Sequence, residues 1–387
     1  MGSLYIHIPF CTSRCAYCTF YSEVYHENAS LVEPYHKRLL AELSVLVDEQ
    51  ELSFDTVYIG GGNPGLLGVE RLVQLLKLIH THGRPREVTM EINPETLTEE
   101  FLPLFEDRLL TRLSIGIQSM DDRFLRRIGR NTASSANERA LRLAERIHDA
   151  YDVELSVDLI VAIPGQTISD LRRDLDRVLK LCAADHISLY CLTVEEGSRL
   201  FEQGGIFMSD DEQASLLYEL WAYLKELGYE HYEVSNFARE GRYSQHNLIY
   251  WKLGTCLGLG SGAASTTWEA GTLVHHLQEQ DLRTYAREEP FTGYEKEVLT
   301  TVERIEEELM VGLRTRRGID KASFLKRTGH DFSSLFDRVV ATLDSTWYDE
   351  ADQFFSLTEH GFMVLDAILL RFFASIPEAL DRSQWLW

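Results

Sequence analysis

Short runs rich in Val, Ile and Tyr alternate along the chain with longer amphipathic segments, a pattern that predicts repeated strand-helix units around a parallel sheet. Strands are predicted at residues 4–9, 56–60, 87–93, 112–118, 155–163 and 186–193. Between them, segments 31–47, 69–80, 136–150 and 168–181 return apolar residues at three- and four-residue steps and predict helices, and 211–227 closes the sixth unit. In barrels and open parallel sheets the carboxyl ends of the strands build the active site. The sequences CTSRC, GGGNP, EINP, GIQS and DLIVAIPGQT all fall at such ends.

After Gly228 the pattern changes to YEHYEVSNFA, then to a Gly-rich stretch, LGTCLGLGSGAAS, and then to a charged segment around 278–296. The expected organisation is a core over 1–235, a connecting segment over 236–296, and a small C-terminal domain over 297–387 with helices at 303–313 and 358–373, arranged as in a winged helix. No tandem repeat or low-complexity tract interrupts it.

Composition narrows the function classes. Of 387 residues, 44% are hydrophobic and 11% aromatic, ordinary for a folded domain. Lys and Arg number 38 against 61 Asp and Glu, and the resulting net charge of −23 disfavours nonspecific nucleic-acid binding or attachment to anionic lipid. No stretch approaches the roughly 18 to 20 apolar residues of a membrane span, and the opening MGSLYIHIPFC lacks a basic region followed by a signal core, so a cytoplasmic protein is expected. The 6 cysteines are too few for a disulfide scaffold in a chain of this length.

Three of those cysteines crowd together. Cys11, Cys15 and Cys18 stand at i, i+4 and i+7, a spacing that lets a short loop wrap three corners of a cuboidal iron-sulfur cluster and leaves one iron open for a cofactor or substrate. Zinc is the alternative, with His7 or His26 as fourth ligand, although no CxxC or HxxxH partner lies downstream. Cys182, Cys191 and Cys256 are isolated and read as small buried hydrophobes.

CxxxCxxC with an aromatic, Tyr17, before the last cysteine resembles the signature of the radical-SAM superfamily. The ordered set YIHIPFCTSRCAYCTF, VYIGGGNPGLL, EINPE, SIGIQS, DLIVAIPGQT, YEVSNFA and HNLIYW further resembles the coproporphyrinogen dehydrogenase-like family and spans most of the chain. The resemblance implies an α/β fold, a partial parallel (β/α)6 radical-SAM barrel with the small C-terminal winged-helix-like α+β domain. It also implies a 4Fe-4S cluster on Cys11, Cys15 and Cys18, with S-adenosylmethionine chelating the open iron through its amino and carboxylate groups.

Carried over residue by residue, the resemblance implies that Tyr5 contacts the cofactor from the first strand and Tyr17 stacks near the adenine. Gly60, Gly61, Gly62 and Asn63 let backbone approach the methionine end, Glu91 accepts hydrogen bonds from the ribose or amino group, and Gln118, Arg130 and Asp158 complete the contacts. The family usually has threonine where this chain has Asn63 and serine where it has Gly65.

The family divides into oxygen-independent coproporphyrinogen oxidases, which are enzymes, and HemW-type haem chaperones. The oxidases usually carry a fourth cysteine where this chain has Phe20, and a long N-terminal extension, whereas only ten residues precede Cys11 here. His246, Asn247, Tyr250 and Trp251 form HNxxYW, a motif associated with haem binding in HemW-like proteins, in which His246 would contact haem; the family commonly has histidine at the place of Ala264. The resemblance therefore implies a haem chaperone without coproporphyrinogen oxidase activity, delivering haem to haem-accepting respiratory proteins. The runner-up is a radical enzyme acting on a porphyrin, and a third class is a cofactor-binding protein that has lost both activities. Monomer and homodimer both stay open, as does transient membrane contact through a partner, for which no basic amphipathic helix argues.

Overall fold

The computed structural model describes residues 2–383 apart from 194, 195, 197, 203 and 205–207. Six parallel strands form its centre: β1 (Gly2–Ile8), β2 (Phe54–Gly61), β3 (Glu87–Ile92), β4 (Arg112–Gln118), β5 (Glu154–Val161) and β6 (His186–Cys191). They lie side by side in chain order, as right-handed strand-helix-strand units produce. Helices Val32–Ser44, Val69–Ile79, Ser134–Tyr151, Ile168–Leu181 and Asp210–Glu226 follow the pattern read from the sequence. Between β3 and β4 the connection is two short 3-10 turns, Glu99–Leu104 and Glu106–Arg108; Pro103 lies inside the first, where an α-helix would lose a backbone donor.

The pleat sends successive side chains to opposite faces, and the two faces differ in kind. Leu4, Ile6, Val57, Ile59, Val88, Met90, Leu113, Ile115, Leu155, Val157, Ile187 and Leu189 share one buried core with helix residues such as Leu39, Leu72, Leu75, Leu141 and Leu175. Each such Leu or Ile stabilises the fold by about 1.5–3 kcal/mol on burial. The alternate positions, Ser3, Tyr5, His7, Thr56, Tyr58, Thr89, Glu91, Arg112, Ser114, Ser156, Asp158, His186 and Ser188, are polar and line the inner face. They satisfy one another: Thr56 bonds Ser3 at 2.8 Å, Ser114 bonds Asp158 at 3.1 Å, and Ser156 meets His186 at 2.9 Å.

The sheet runs on beyond the six strands. β7 (Glu230–Glu233) and β8 (Asn236–Ala238) flank β6, with β8 antiparallel to it. On the other side, β9 (Cys256–Leu259) is parallel to β1, and β10 (Ala264–Glu269), β11 (Thr272–Gln278) and β12 (Tyr294–Val298) follow antiparallel. The order is β12-β11-β10-β9-β1-β2-β3-β4-β5-β6-β8-β7, and no ladder among the described residues joins β1 to β6. The arc is a partial barrel. Helix Gln245–Tyr250 sits under it, its first two N–H groups bonded by the Glu87 carboxylate from the start of β3 at 2.8 and 2.9 Å.

The C-terminal unit packs helices Thr301–Gly312, Lys321–Thr328, Phe332–Val340 and Leu365–Ser383 with a small antiparallel sheet. That sheet holds β13 (Ile319–Asp320), β14 (Tyr348–Glu350) and β15 (Phe354–Leu357), with β15 in the middle. Phe324, Phe332, Phe336, Phe355 and Phe372 form its aromatic centre. The helix expected at 358–373 is two helices, Glu359–Met363 and Leu365–Ser383, with a break at Val364. No helix among the described residues is long and apolar enough to cross a membrane.

Candidate functional site

The cysteine loop leaves the carboxyl end of β1 and is tied down at several points. Phe10–Cys11 pairs with Glu23–Val24, Arg14 Nε donates to the Ser22 carbonyl at 2.9 Å, and Ala16 N–H donates to the Ile128 carbonyl at 3.0 Å. The loop thereby forms one wall of a cavity of about 350 Å³ at the carboxyl ends of the parallel strands. Cys11, Cys15 and Cys18 are half-buried and all line it. Burial pushes the Cys11 thiol up to about 11 and raises Cys18, and the neighbouring thiols add to both shifts. A bound cation is what would hold such thiols deprotonated.

The donor set fits a cluster better than a zinc ion. Neither histidine considered as a fourth zinc ligand is available: His7 meets the Tyr5 hydroxyl through Nδ1 and the Tyr21 carbonyl through Nε2, each at 2.9 Å, and His26 lies on the surface 3.8 Å from Glu27. Three soft thiols without a fourth protein ligand match a cluster that keeps one iron open.

Opposite the thiols, Gly61 and Gly62 at the end of β2 supply bare backbone. Gly61 has φ of +111°, and a β-carbon there would meet the His7 ring at 2.8 Å. A β-carbon on Gly62 would stand 2.6 Å from the Phe10 carbonyl oxygen and 2.9 Å from Cys11 Sγ. Gly62→Ala is therefore expected to displace the first cysteine at a cost of about 1–3 kcal/mol. The check is iron and acid-labile sulfide after anaerobic reconstitution, which should fall while the far-ultraviolet circular dichroism stays that of the wild type.

Glu91, at the end of β3, turns both oxygens to fixed partners: Tyr58 O–H donates to Oε1 at 2.6 Å and Gly61 N–H to Oε2 at 3.2 Å. Burial raises its pKa to about 7, against the opposing effect of the Tyr58 bond. Arg130 is half-buried on the far wall, its Nη2 donating to Asn93 Oδ1 at 2.7 Å and to the Gly116 carbonyl at 2.8 Å, with Nη1 3.7 Å from Cys15 Sγ. With Arg14, which also lines the cavity, it brings positive charge to the thiols. Asp158, raised by burial, accepts from Ser114.

Gln118 reaches the cavity through an irregularity. The register between β4 and β5 shifts between Gly116 and Gln118, and Gln118 takes φ of +64°, uncommon for a residue with a β-carbon. Such a bulge re-aims a side chain at a strand end. Tyr17, Cys11, Cys15, Cys18, Gly61, Gly62, Glu91, Gln118, Arg130 and Asp158 thus share one cavity. Tyr5 lies beneath it, bonded to His7, and Asn63 is fully buried, its amide donating to Thr96 at 2.7 Å. Asn93, Tyr190 and Cys191 also line the cavity without having been singled out from the sequence. Asn93 follows Glu91 at a strand end, a position that marks it; Cys191 is bonded to Gln213 at 2.9 Å and carries no spacing signal.

His246 is elsewhere, buried under the sheet with both ring nitrogens occupied: Nδ1 lies 2.8 Å from Thr56 Oγ1 and Nε2 2.9 Å from the Tyr250 hydroxyl. Trp251 of the same motif faces outward into a second cavity of about 440 Å³, between the helix Gln245–Tyr250 and the C-terminal unit. Tyr232, Tyr243, Leu248 and Ile319 give it flat and apolar walls, and its charged lining mixes Lys252, Arg316, Arg317 and Arg327 with Glu230, Glu308 and Asp320.

Comparison with known proteins identifies the family and the fold. Residues 5–178 match the Radical SAM superfamily, and residues 299–364 match the HemN C-terminal domain. A protein of Bacillus subtilis named heme chaperone HemW is 32% identical over 89% of this chain and 91% of its own length. The mitochondrial radical S-adenosyl methionine domain-containing protein 1 of Bos taurus is 32% identical over 98% of this chain and 89% of its own. Among solved structures, the coproporphyrinogen III oxidase HemN of Escherichia coli superposes with a TM-score of 0.76 at 18% identity, covering 96% of this chain and 89% of that one, which establishes the shared fold.

Proposed function

Since the chain belongs to the radical SAM superfamily, in the coproporphyrinogen dehydrogenase-like family and its HemW-type branch, we propose that it is a haem chaperone that holds haem away from its cluster site and passes it to respiratory haem proteins. Membership implies a 4Fe-4S cluster and S-adenosylmethionine, which together supply one-electron chemistry when bound. In this reading Cys11, Cys15 and Cys18 hold the cluster. Tyr17, Gly61, Gly62, Glu91, Gln118, Arg130 and Asp158 hold the cofactor, with Tyr5 and Asn63 supporting the wall behind them. The reading also places the chain in the cytoplasm.

The observation that carries the haem assignment is the second cavity. Trp251, Tyr232 and Tyr243 offer flat surfaces to a macrocycle, and Lys252 follows Trp251 in the lining. Burial first, then the neighbouring Arg317 and Arg86, lower the Lys252 pKa, and an incoming anion such as a propionate would favour its charged form. His246 can serve as an axial ligand only after Tyr250 releases Nε2.

Haem titration followed by absorbance tests the assignment. Trp251→Ala and Lys252→Ala are each expected to weaken haem binding by about tenfold, or 1.4 kcal/mol; unchanged affinity in both would remove this cavity from the haem site. A shifted haem band in His246→Ala would mark imidazole ligation. Conversion of coproporphyrinogen III at catalytic turnover by reduced, reconstituted protein would overturn the chaperone reading in favour of the oxidase.

A further inference from the structure

We infer that Tyr58, braced by His246, is the residue that positions Glu91 toward S-adenosylmethionine, so that the histidine of the HNxxYW motif acts on the cofactor site through the interior of the sheet. The inference rests on the reading that the cluster cavity takes S-adenosylmethionine.

Tyr58 is on β2, half-buried on the inner face, and its 2.6 Å bond to Glu91 Oε1 complements the Gly61 N–H on Oε2. With both oxygens so pinned, the carboxylate plane is set, and its remaining lone pairs are the ones that reach the cavity. The ring of Tyr58 is in turn flanked by Tyr5 at 6.2 Å and by His246 at 5.3 Å, the latter tilted by 33°. Removing either neighbour gives that ring room to rotate.

His246 is itself fixed by a one-directional chain. The Thr56 hydroxyl donates to Ser3 Oγ, so it accepts from His246 Nδ1–H; Nε2 is then the acceptor for the Tyr250 hydroxyl, which receives the Cys256 thiol at 3.5 Å. Burial holds the imidazole neutral, with a pKa near 3, which suits this tautomer. A ring with both nitrogens committed and one face against Tyr58 is built as a brace. The motif helix thus reaches the cofactor end of the sheet by way of His246, Tyr58 and Glu91.

The groups that face Glu91 are Tyr5 on β1, Tyr58 on β2, Asp158 on β5, Tyr190 on β6 and Tyr250 on the motif helix, all acids or phenols. Glu91 titrates near neutrality among them, and the Tyr58 bond favours its charged form. Loss of that bond therefore moves the titration upward.

Equilibrium binding of S-adenosylmethionine to the full chain, anaerobically reconstituted, between about pH 6 and pH 9 tests this. In the wild type, affinity should fall as pH drops through about 7. Tyr58→Phe should bind within about threefold of wild type at the alkaline end, with the midpoint of the fall moved up by about one pH unit. Glu91→Gln should bind more weakly without pH dependence, and the double variant should match it. His246→Ala and the isosteric Thr56→Val, which removes the acceptor of Nδ1, should move the midpoint in the same direction as Tyr58→Phe. A pH-flat Glu91→Gln with an unmoved midpoint in Tyr58→Phe overturns the role of Tyr58. A midpoint unmoved in both His246→Ala and Thr56→Val overturns the brace. Failure of the wild type to bind S-adenosylmethionine removes the cofactor reading itself, a result distinct from either.

Discussion

Cys15→Ala is expected to abolish cluster assembly, taking iron and acid-labile sulfide after anaerobic reconstitution from cluster stoichiometry to background. The loop offers three thiols, and neither His7 nor His26 is placed to substitute for one. The variant would also lose the thiol whose sulfur lies 3.7 Å from Arg130 Nη1. Cys182→Ala is the control: that residue is buried beside helix Ile168–Leu181, away from the cavity, and should reconstitute like the wild type. Zinc in the wild type without acid-labile sulfide would sink the cluster assignment outright.

The second large effect is on stability. Arg38 and Glu42 form an ion pair at 3.1 Å with side-chain exposures of 3% and 0%. Arg38 also donates to the carbonyls of Tyr285 and Thr292 at 2.7 and 2.9 Å, and Glu42 accepts from the Tyr285 hydroxyl and the Phe291 N–H. The pair ties residues 285–292 to the helix Val32–Ser44. Arg38→Ala leaves the Glu42 carboxylate buried without its cation, and a loss of about 3–5 kcal/mol is expected, read as a lowered midpoint in chemical denaturation. The damage should reach the cysteine loop, because Leu282 N–H donates to the Tyr21 hydroxyl at 2.7 Å and the Tyr21 carbonyl meets His7. Joint substitution of Arg38 and Glu42 by apolar residues of similar size should recover much of the loss, which separates an orphaned charge from lost packing.

The parallel strands were legible because their outward positions are Val, Ile, Leu and Met at a strict period of two, and the helices because their apolar faces recur at helical spacing. The strand-end motifs then fell at the cavity. The inner face was written in the same alternation: Ser3, Tyr5 and His7 between Leu4, Ile6 and Ile8 already state that this sheet is polar inside, unlike a parallel sheet buried on both faces. Gln118 depends on a register shift that no residue type announces. Among the strands from Cys256 to Val298, β12 is the edge of the sheet and is charged, and β9 is a four-residue strand inside a Gly-rich stretch, so both resemble loop. The engagement of His246 on both nitrogens depends on Thr56, 190 positions earlier in the chain, a pairing that only the fold creates.

The unclosed arc of the sheet has a mechanical consequence. In a closed barrel every strand is gripped from both sides, and the radius changes only if the stagger of all strands changes with it. Here β1 and β6 each pair outward, β1 with β9 and β6 with β8, and no ladder among the described residues joins the two across the seam. Tyr190 on β6 and the cysteine loop beyond β1 stand on opposite lips of that seam. Beyond β6 the Leu200 N–H donates to the Ala16 carbonyl of the cysteine loop at 2.8 Å, so the mouth between the lips is latched by a loop hydrogen bond and apolar contact and not by a strand ladder.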